Sequence, residues 1–197
     1  MNLKGKIVII TLVAIVALVG VGFATFTFTN SVNDSAAISG NVAAAIEAKS
    51  VEVKNAEGNA DVTNLYIICS SQAANGIYWS TTADGSNQIT QVKLIGSVNE
   101  DDNDFVDFTE YTGTFTSSVT GAPESTTWIN IASFTTLNED VASTSKNAPV
   151  EYYYTLPALT YKDVPENVTE VNALETEVNA ISITITFTFS VKSVTAA

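Results

Sequence analysis

The chain is expected to be all-β: a β-sandwich or jelly roll with one short helix before its last strand. Three observations lead there. Val, Ile, Thr, Tyr and Phe gather in short runs, the residue types that fit a pleated, half-buried surface. Clusters of Gly, Asn, Asp and Ser separate those runs at intervals of one strand and one turn. The final run, "NAISITITFTFSVKSV", alternates apolar and polar residues with period two. With 197 residues, the chain is long enough for one sizeable domain with its own core.

The first element is a targeting segment. Lys4 and Lys6 precede an uncharged run of eighteen residues, Ile7 to Ala24, with small residues Gly22 and Ala24 at its end. A cationic start, an apolar stretch and small residues before a cut mark a secretory signal, placing cleavage after Ala24. Eighteen residues also suffice to span a bilayer, so a retained hydrophobic helix is the alternative. Lys4-Gly5 before the apolar run resembles the processing site of archaeal type IV pilins, though Lys6 departs from their pattern. Both readings put the remainder outside the cytoplasm. The expected division is 1–24 signal peptide or helix, 25–35 N-terminal strand and linker, and 36–197 sandwich domain.

Next comes "TFTFT", Thr25 to Thr29, already alternating like a strand. "NVAAAIEAK", Asn41–Lys49, has helix formers and a possible N-cap, yet Val42, Ala44 and Ile46 also alternate; both readings stay open. Further strands are expected near Ser50–Lys54, Thr63–Ser70, Ile77–Thr81, Gln88–Ile95, Phe105–Thr116, Thr127–Thr136 and Pro149–Tyr161. Turns are expected at "EGNAD", "NG", "ADGSN", "NEDDND", "TGAPES" and "NEDVASTSKNAP". Val168, Val171, Leu174 and Val178 then recur at helical spacing, with Pro165 suited to a first helical turn, predicting a short amphipathic helix over one end of the sandwich. In the last strand Ile181, Ile183, Ile185, Phe187, Phe189 and Val191 share one face, and Ser182, Thr184, Thr186, Thr188, Ser190 and Lys192 the other. Its eleven residues would extend about 36 Å at ~3.3 Å each, long for a strand.

Charge and composition exclude several functions. After Ala24 there are six Lys, no Arg, no His and 21 acidic residues, a balance of −15. That excludes a nucleic-acid footprint and docking on anionic lipid, leaving membrane contact to the N-terminal segment alone. It fits a mutually repelling surface exposed to the medium. Cys69, the only cysteine, sits in "LYIICSS" and reads as a core thiol.

Without histidine, Ser-His and Cys-His triads and the common zinc sites are absent, and no Gly-rich phosphate loop appears. No carboxylate pair stands out for glycoside hydrolysis, so an enzyme is not expected. The densest acidic stretch, "NEDDNDFVDFTE", offers Asp101, Asp102, Asp104, Asp107 and Glu110 as hard oxygen ligands for Ca²⁺. Its spacing is not that of an EF-hand, and a solvated hairpin loop is the plainer reading. Asn33-Asp34-Ser35 and Asn167-Val168-Thr169 are N-glycosylation sequons; composition alone would supply such a number, and their use depends on the host. Trp79, Trp128 and "EYYYT" have sugar-stacking side chains, but aromatics within strands point to core or interface packing. A Lys–Asn or Lys–Asp isopeptide crosslink would suit a fibre, and the sequence nominates no pair for one.

The N-terminal strand poses the main functional question. Phe26, Phe28 and Val32 would present one apolar face, and such a face left exposed promotes aggregation. The segment either adds an edge strand to its own domain or fills an open groove in a neighbour, as in donor-strand complementation. A donated strand satisfies a row of unpaired backbone groups while alternate side chains fill pockets. Burying two Phe side chains is worth about 3–6 kcal/mol by area, before association entropy is subtracted. A head-to-tail contact that does not close a ring yields an open filament.

The stretch "VGVGFATFTFTNSVNDSAAISGN", followed by an Ala/Val/Ile segment entering "AKSVEVKN", resembles the TasA and camelysin group of biofilm-matrix fibre proteins. It resembles still more the archaeal bundling pilins and thread-like filaments related to them. The match covers about thirty residues. It departs from the bacterial members, which commonly have Asp after the first aromatic and then Ala-Gly-Thr-Leu. Here Thr27 and Thr29 are followed by Ala43-Ala44-Ala45-Ile46.

The resemblance implies a jelly-roll-like domain that receives the N-terminal strand of the next subunit. Thr25, Phe26, Thr27, Phe28, Thr29 and Val32 would then form the donor. The long last strand, Ile181 to Val191, is the first candidate for a wall of the receiving groove. The partner would be the chain itself, in a secreted, cell-surface homopolymer, with neighbouring filaments as further partners in bundles. The alternatives are a type IV pilin-like subunit with Ile7–Ala24 as a filament-core helix, and a monomeric surface adhesin. No cofactor is expected apart from the Ca²⁺ option.

Overall fold

The computed structural model describes residues 25–32, 48–69, 76–98, 108–121 and 126–196. The described residues form strands β1 (Thr25–Val32), β2 (Ala48–Asn55), β3 (Asn64–Cys69), β4 (Ile77–Ser80), β5 (Gln88–Ile89) and β6 (Gln91–Val98). They continue with β7 (Phe108–Thr120), β8 (Ile129–Ile131), β9 (Asn138–Ala142), β10 (Val150–Thr155), β11 (Leu159–Tyr161), helix α1 (Val168–Ala180) and β12 (Ser182–Ala196). The described residues are therefore all-β, with one short helix before the last strand.

A seven-stranded sheet has the order β5-β4-β3-β1-β12-β7-β9, a three-stranded sheet the order β10-β6-β2, and β11-β8 form a small pair. The two larger sheets pack face to face. Tyr154 of β10 meets Phe187 of β12 edge-on, with ring centroids 5.1 Å apart. Phe115 of β7 and Phe189 of β12 are also 5.1 Å apart. Phe189 is wedged between the layers, and its ring lies over Gly96 of β6 and Gly113 of β7. A Cβ there would come within 2.5 Å and 2.2 Å of ring carbons. Both glycines serve close approach rather than a turn.

The alternation in the last strand organises the core as expected. Ile181, Ile183, Ile185, Phe187, Phe189 and Val191 are all buried. Removing such side chains from water contributes about 1.5–3 kcal/mol each. Of the opposite row, Ser182 and Lys192 are exposed, and Thr184, Thr186, Thr188 and Ser190 half-buried. β12 is longer than its apolar face, because it pairs antiparallel with β7 as far as Ala196 opposite Phe108. Val191 faces Gly113 and Ser193 faces Thr112, so Lys192 is the extra residue of a bulge. Its ammonium pairs with the Asp140 carboxylate on β9.

Helix α1 starts at Val168, with Asn167 as N-cap accepting from the Glu170 N–H at 3.1 Å. The Glu170 carboxylate accepts in return from the Glu166 N–H at 2.7 Å, a displaced capping box. Val171, Leu174 and Val178 face the core, while Val168 is 37% exposed. Pro165 lies two residues before the N-cap rather than in the first turn.

Several sequence expectations are corrected. The stretch Gln88–Ile95 is two strands, β5 and β6, because the chain crosses from one sheet to the other at Thr90. Pro149–Tyr161 divides likewise into β10 and β11, and Thr127–Thr136 shrinks to β8. Asn138–Ala142, read as part of a turn, is the edge strand β9; bonded on one side only, it carries Glu139 and Asp140 without an alternating pattern. Of the ambiguous Asn41–Lys49 stretch, Ala48 and Lys49 are strand and the rest lies outside the described residues.

Candidate functional site: the slot between strands β3 and β12

β1 is the fourth of seven strands, between β3 and β12. It thus pairs within its own chain's sheet, as an interior strand where the in-domain reading expected an edge strand. It runs parallel to β12 in unbroken register from Thr25 opposite Ser182 to Val32 opposite Phe189. Phe26 falls opposite Ile183 and Phe28 opposite Ile185. On its other side it pairs antiparallel with β3, at Phe26 opposite Leu65 and Thr27 opposite Asn64.

β3 and β12 bond to β1 and not to each other. The slot is bounded by Ile183, Ile185, Phe187 and Phe189 on β12 and by Leu65 on β3, all buried. β2 of the facing sheet lies against β1 and β12, and its Val51 and Val53 are buried. No charged residue occurs at any register position of β1, β3 or β12 along the slot, in a chain of net charge −13. Desolvation here therefore involves no buried carboxylate.

All six donor residues read from the sequence pair with β12, which carries five of the six groove residues; Ile181 is the C-cap of α1, and Val191 lies beyond the paired stretch. Leu65 of the opposite wall was legible only as part of a buried strand. Nothing local in "NLYIIC" signals which strand lies beside it.

The remaining candidates fall as follows. Asp101, Asp102, Asp104, Asp107 and Asn33 lie outside the described residues, and Glu110 is exposed on β7 opposite Thr195. Among the described residues no group of three acidic, Cys or His side chains is placed to hold a metal ion. Trp79 is buried, its Nε1–H donating to the Pro157 carbonyl at 2.6 Å. Tyr154 is buried and donates to the Thr135 carbonyl at 2.9 Å. Trp128 packs partly against the core. Tyr153 is 46% exposed, with the Lys93 ammonium 5.7 Å from its ring centre.

Cys69 is a buried free thiol, and burial pushes its pKa up to about 11. It is therefore a packed core group and not a nucleophile at neutral pH. Lys54 lies 2.6 Å from Asp61 and 3.1 Å from Glu52, and Lys93 lies 2.7 Å from Glu151. Hydrogen bonds to these carboxylates raise both Lys pKa values. Both amines are held in ion pairs at the surface.

Sequence reasoning missed Glu177. From the last turns of α1, its carboxylate accepts the backbone N–H groups of Thr127 at 2.6 Å, Trp128 at 2.9 Å and Ile129 at 3.3 Å. An acid near a helix C-terminus is unfavourable to the helix dipole. Here three donors offset that and clamp α1 to β8. A cleft of about 400 Å³ lies between Asn55–Glu57 and Asn87–Gln91, and among the described residues Glu57 is its one titratable lining group.

Among the described residues no helix is long and apolar enough to cross a membrane. Comparison with protein-family models, curated proteins and solved structures found no match for the chain.

Proposed function

We propose that the protein is a structural, non-catalytic subunit of an extracellular filament, built by exchange of β1 between jelly-roll-like domains. One observation carries this reading. The N-terminal strand, held to its domain at one end only, is an interior strand whose two neighbours do not bond each other. Such a domain without β1 has a complete, uncharged, apolar slot, and the same register can be filled from its own chain or from the next. Between Val32 and Ala48 lie fifteen residues, which reach at most about 50 Å when fully extended. That is far enough to place β1 in an adjoining copy. In this reading the chain with β1 in its own slot is the closed form. Exchange keeps the same contacts and links copies head-to-tail into an open series. Such fibres would serve cell cohesion, surface attachment or biofilm scaffolding.

The pairing of β1 within its own chain favours a second reading, a closed monomeric surface protein. A covalent trap separates the two. Thr27 and Thr184 are register partners, so the Thr27→Cys, Thr184→Cys double variant is oxidised under native conditions. A non-reducing gel then reads the outcome; buried Cys69 takes no part. Exchange predicts a ladder of covalent multimers, and filaments in negative-stain micrographs. Monomers alone, with an internal bond and discrete particles, would establish the closed protein. Filaments with an exclusively internal bond would place polymerisation elsewhere, with the Ile7–Ala24 segment the next suspect.

A further inference from the structure

We infer that Asn167 is an N-glycan acceptor, and that the folded domain presents it so that glycan and helix cap coexist. The sequon Asn167-Val168-Thr169 is the first turn of α1 with its cap. Asn167 and Thr169 are exposed, and Val168 is 37% exposed. Asn167 is extended, at φ −147° and ψ 169°, on the approach Pro165–Glu166.

The two ends of the side-chain amide have separate tasks. Oδ1 accepts from the Glu170 N–H at 3.1 Å and caps the helix. Nδ2 makes no hydrogen bond to any described residue. N-glycosylation uses Nδ2 alone: the nitrogen attacks the anomeric carbon of a lipid-linked oligosaccharide. A C–N bond forms, the sugar–phosphate bond breaks, the lipid phosphate or pyrophosphate leaves with the electron pair, and Nδ2 loses one proton. The product amide retains Oδ1, so the cap survives. The acceptor caps the N-terminal end of α1, and it is the opposite, C-terminal end of the helix that leads into β12 at Ser182. The inference uses export and exposure and is independent of the filament reading.

The test is tandem mass spectrometry of the full-length protein secreted by its own source, beside Asn167→Asp and Thr169→Val variants made in that source. Aspartate caps as well as asparagine but has no amide nitrogen, so Asn167→Asp should keep the helical circular dichroism and lose the glycan. Thr169→Val should lose the glycan with Asn167 intact. The expected result is a hexose- or hexosamine-type mass on the wild-type peptide containing Asn167 and on neither variant. A fully unmodified wild-type Asn167, or an adduct persisting on Asn167 in Thr169→Val, would overturn the inference.

Discussion

The clearest energetic test of the fold concerns the Phe189 ring, gripped between glycines of opposite sheets. A Cβ on Gly113 would sit 2.2 Å and 2.6 Å from two carbons of that ring, and 3.2 Å from a Val150 methyl. A Cβ on Gly96 would meet three ring carbons at 2.5, 2.5 and 2.8 Å. Neither glycine has a positive φ, so an added methyl is opposed by sterics alone. In an unobstructed strand, Gly→Ala would stabilise by about 0.5–1 kcal/mol. Against the ring, overpacking should reverse the sign and cost ~1–3 kcal/mol. Phe189→Ala alone should cost about 3–5 kcal/mol, and in that background Gly113→Ala should become neutral or stabilising. The assay is urea unfolding of wild type, both single variants and the double, with midpoint and slope fitted separately. A coupling of roughly 1.5–4 kcal/mol follows from the two estimates. If Gly113→Ala stabilises the wild type, or the two changes add within about 0.5 kcal/mol, the wedge does not exist as described.

Three further predictions follow from other contacts. Glu177→Ala should cost about 2–3 kcal/mol in urea unfolding by stripping three backbone donors of their acceptor; a loss below ~0.5 kcal/mol would mean water replaces the carboxylate. Gly121→Ala should destabilise strongly, since Gly121 has φ +78° and its Cβ would lie 2.2 Å from the Ser182 carbonyl oxygen; a calorimetric Tm equal to wild type would contradict that geometry. Burial raises the pKa of Cys69 to about 11, of Tyr111 to about 12, and of Tyr154 and Tyr161 as well. Folding holds these groups protonated, so their contribution is fully present below pH ~9 and lost as pH rises through about 11 to 12. Urea midpoints measured from pH 8 to 12 should fall progressively, and a flat profile would exclude the burial of these groups.

The parts of the fold legible in the sequence are those where burial imposes a period. β12 buries one face along its apolar stretch, so six residues from Ile181 to Val191 could be assigned by alternation alone. Helix α1 was visible because Val171, Leu174 and Val178 share a stripe. β9 was hidden because a one-sided edge strand tolerates Glu139 and Asp140 at successive positions. The splits at Thr90 and between Thr155 and Leu159 were hidden because a chain can change sheets without breaking its β-forming composition. The candidate site was half legible. The alternation of β1 and β12 marked both as strands with an apolar face. Their adjacency, parallel direction and shared neighbour β3 depend on contacts across most of the chain's length, for which local pattern carries no signal.

The common direction of β1 and β12 sets the polarity of any series of exchanged copies. Since Thr25 aligns with Ser182 and Val32 with Phe189, a strand arriving from a neighbour enters every slot the same way round. Such a thread would have unlike tips: one offering an unfilled cleft, the other an unclaimed β1. Growth and anchoring would then be different chemical events at opposite extremities.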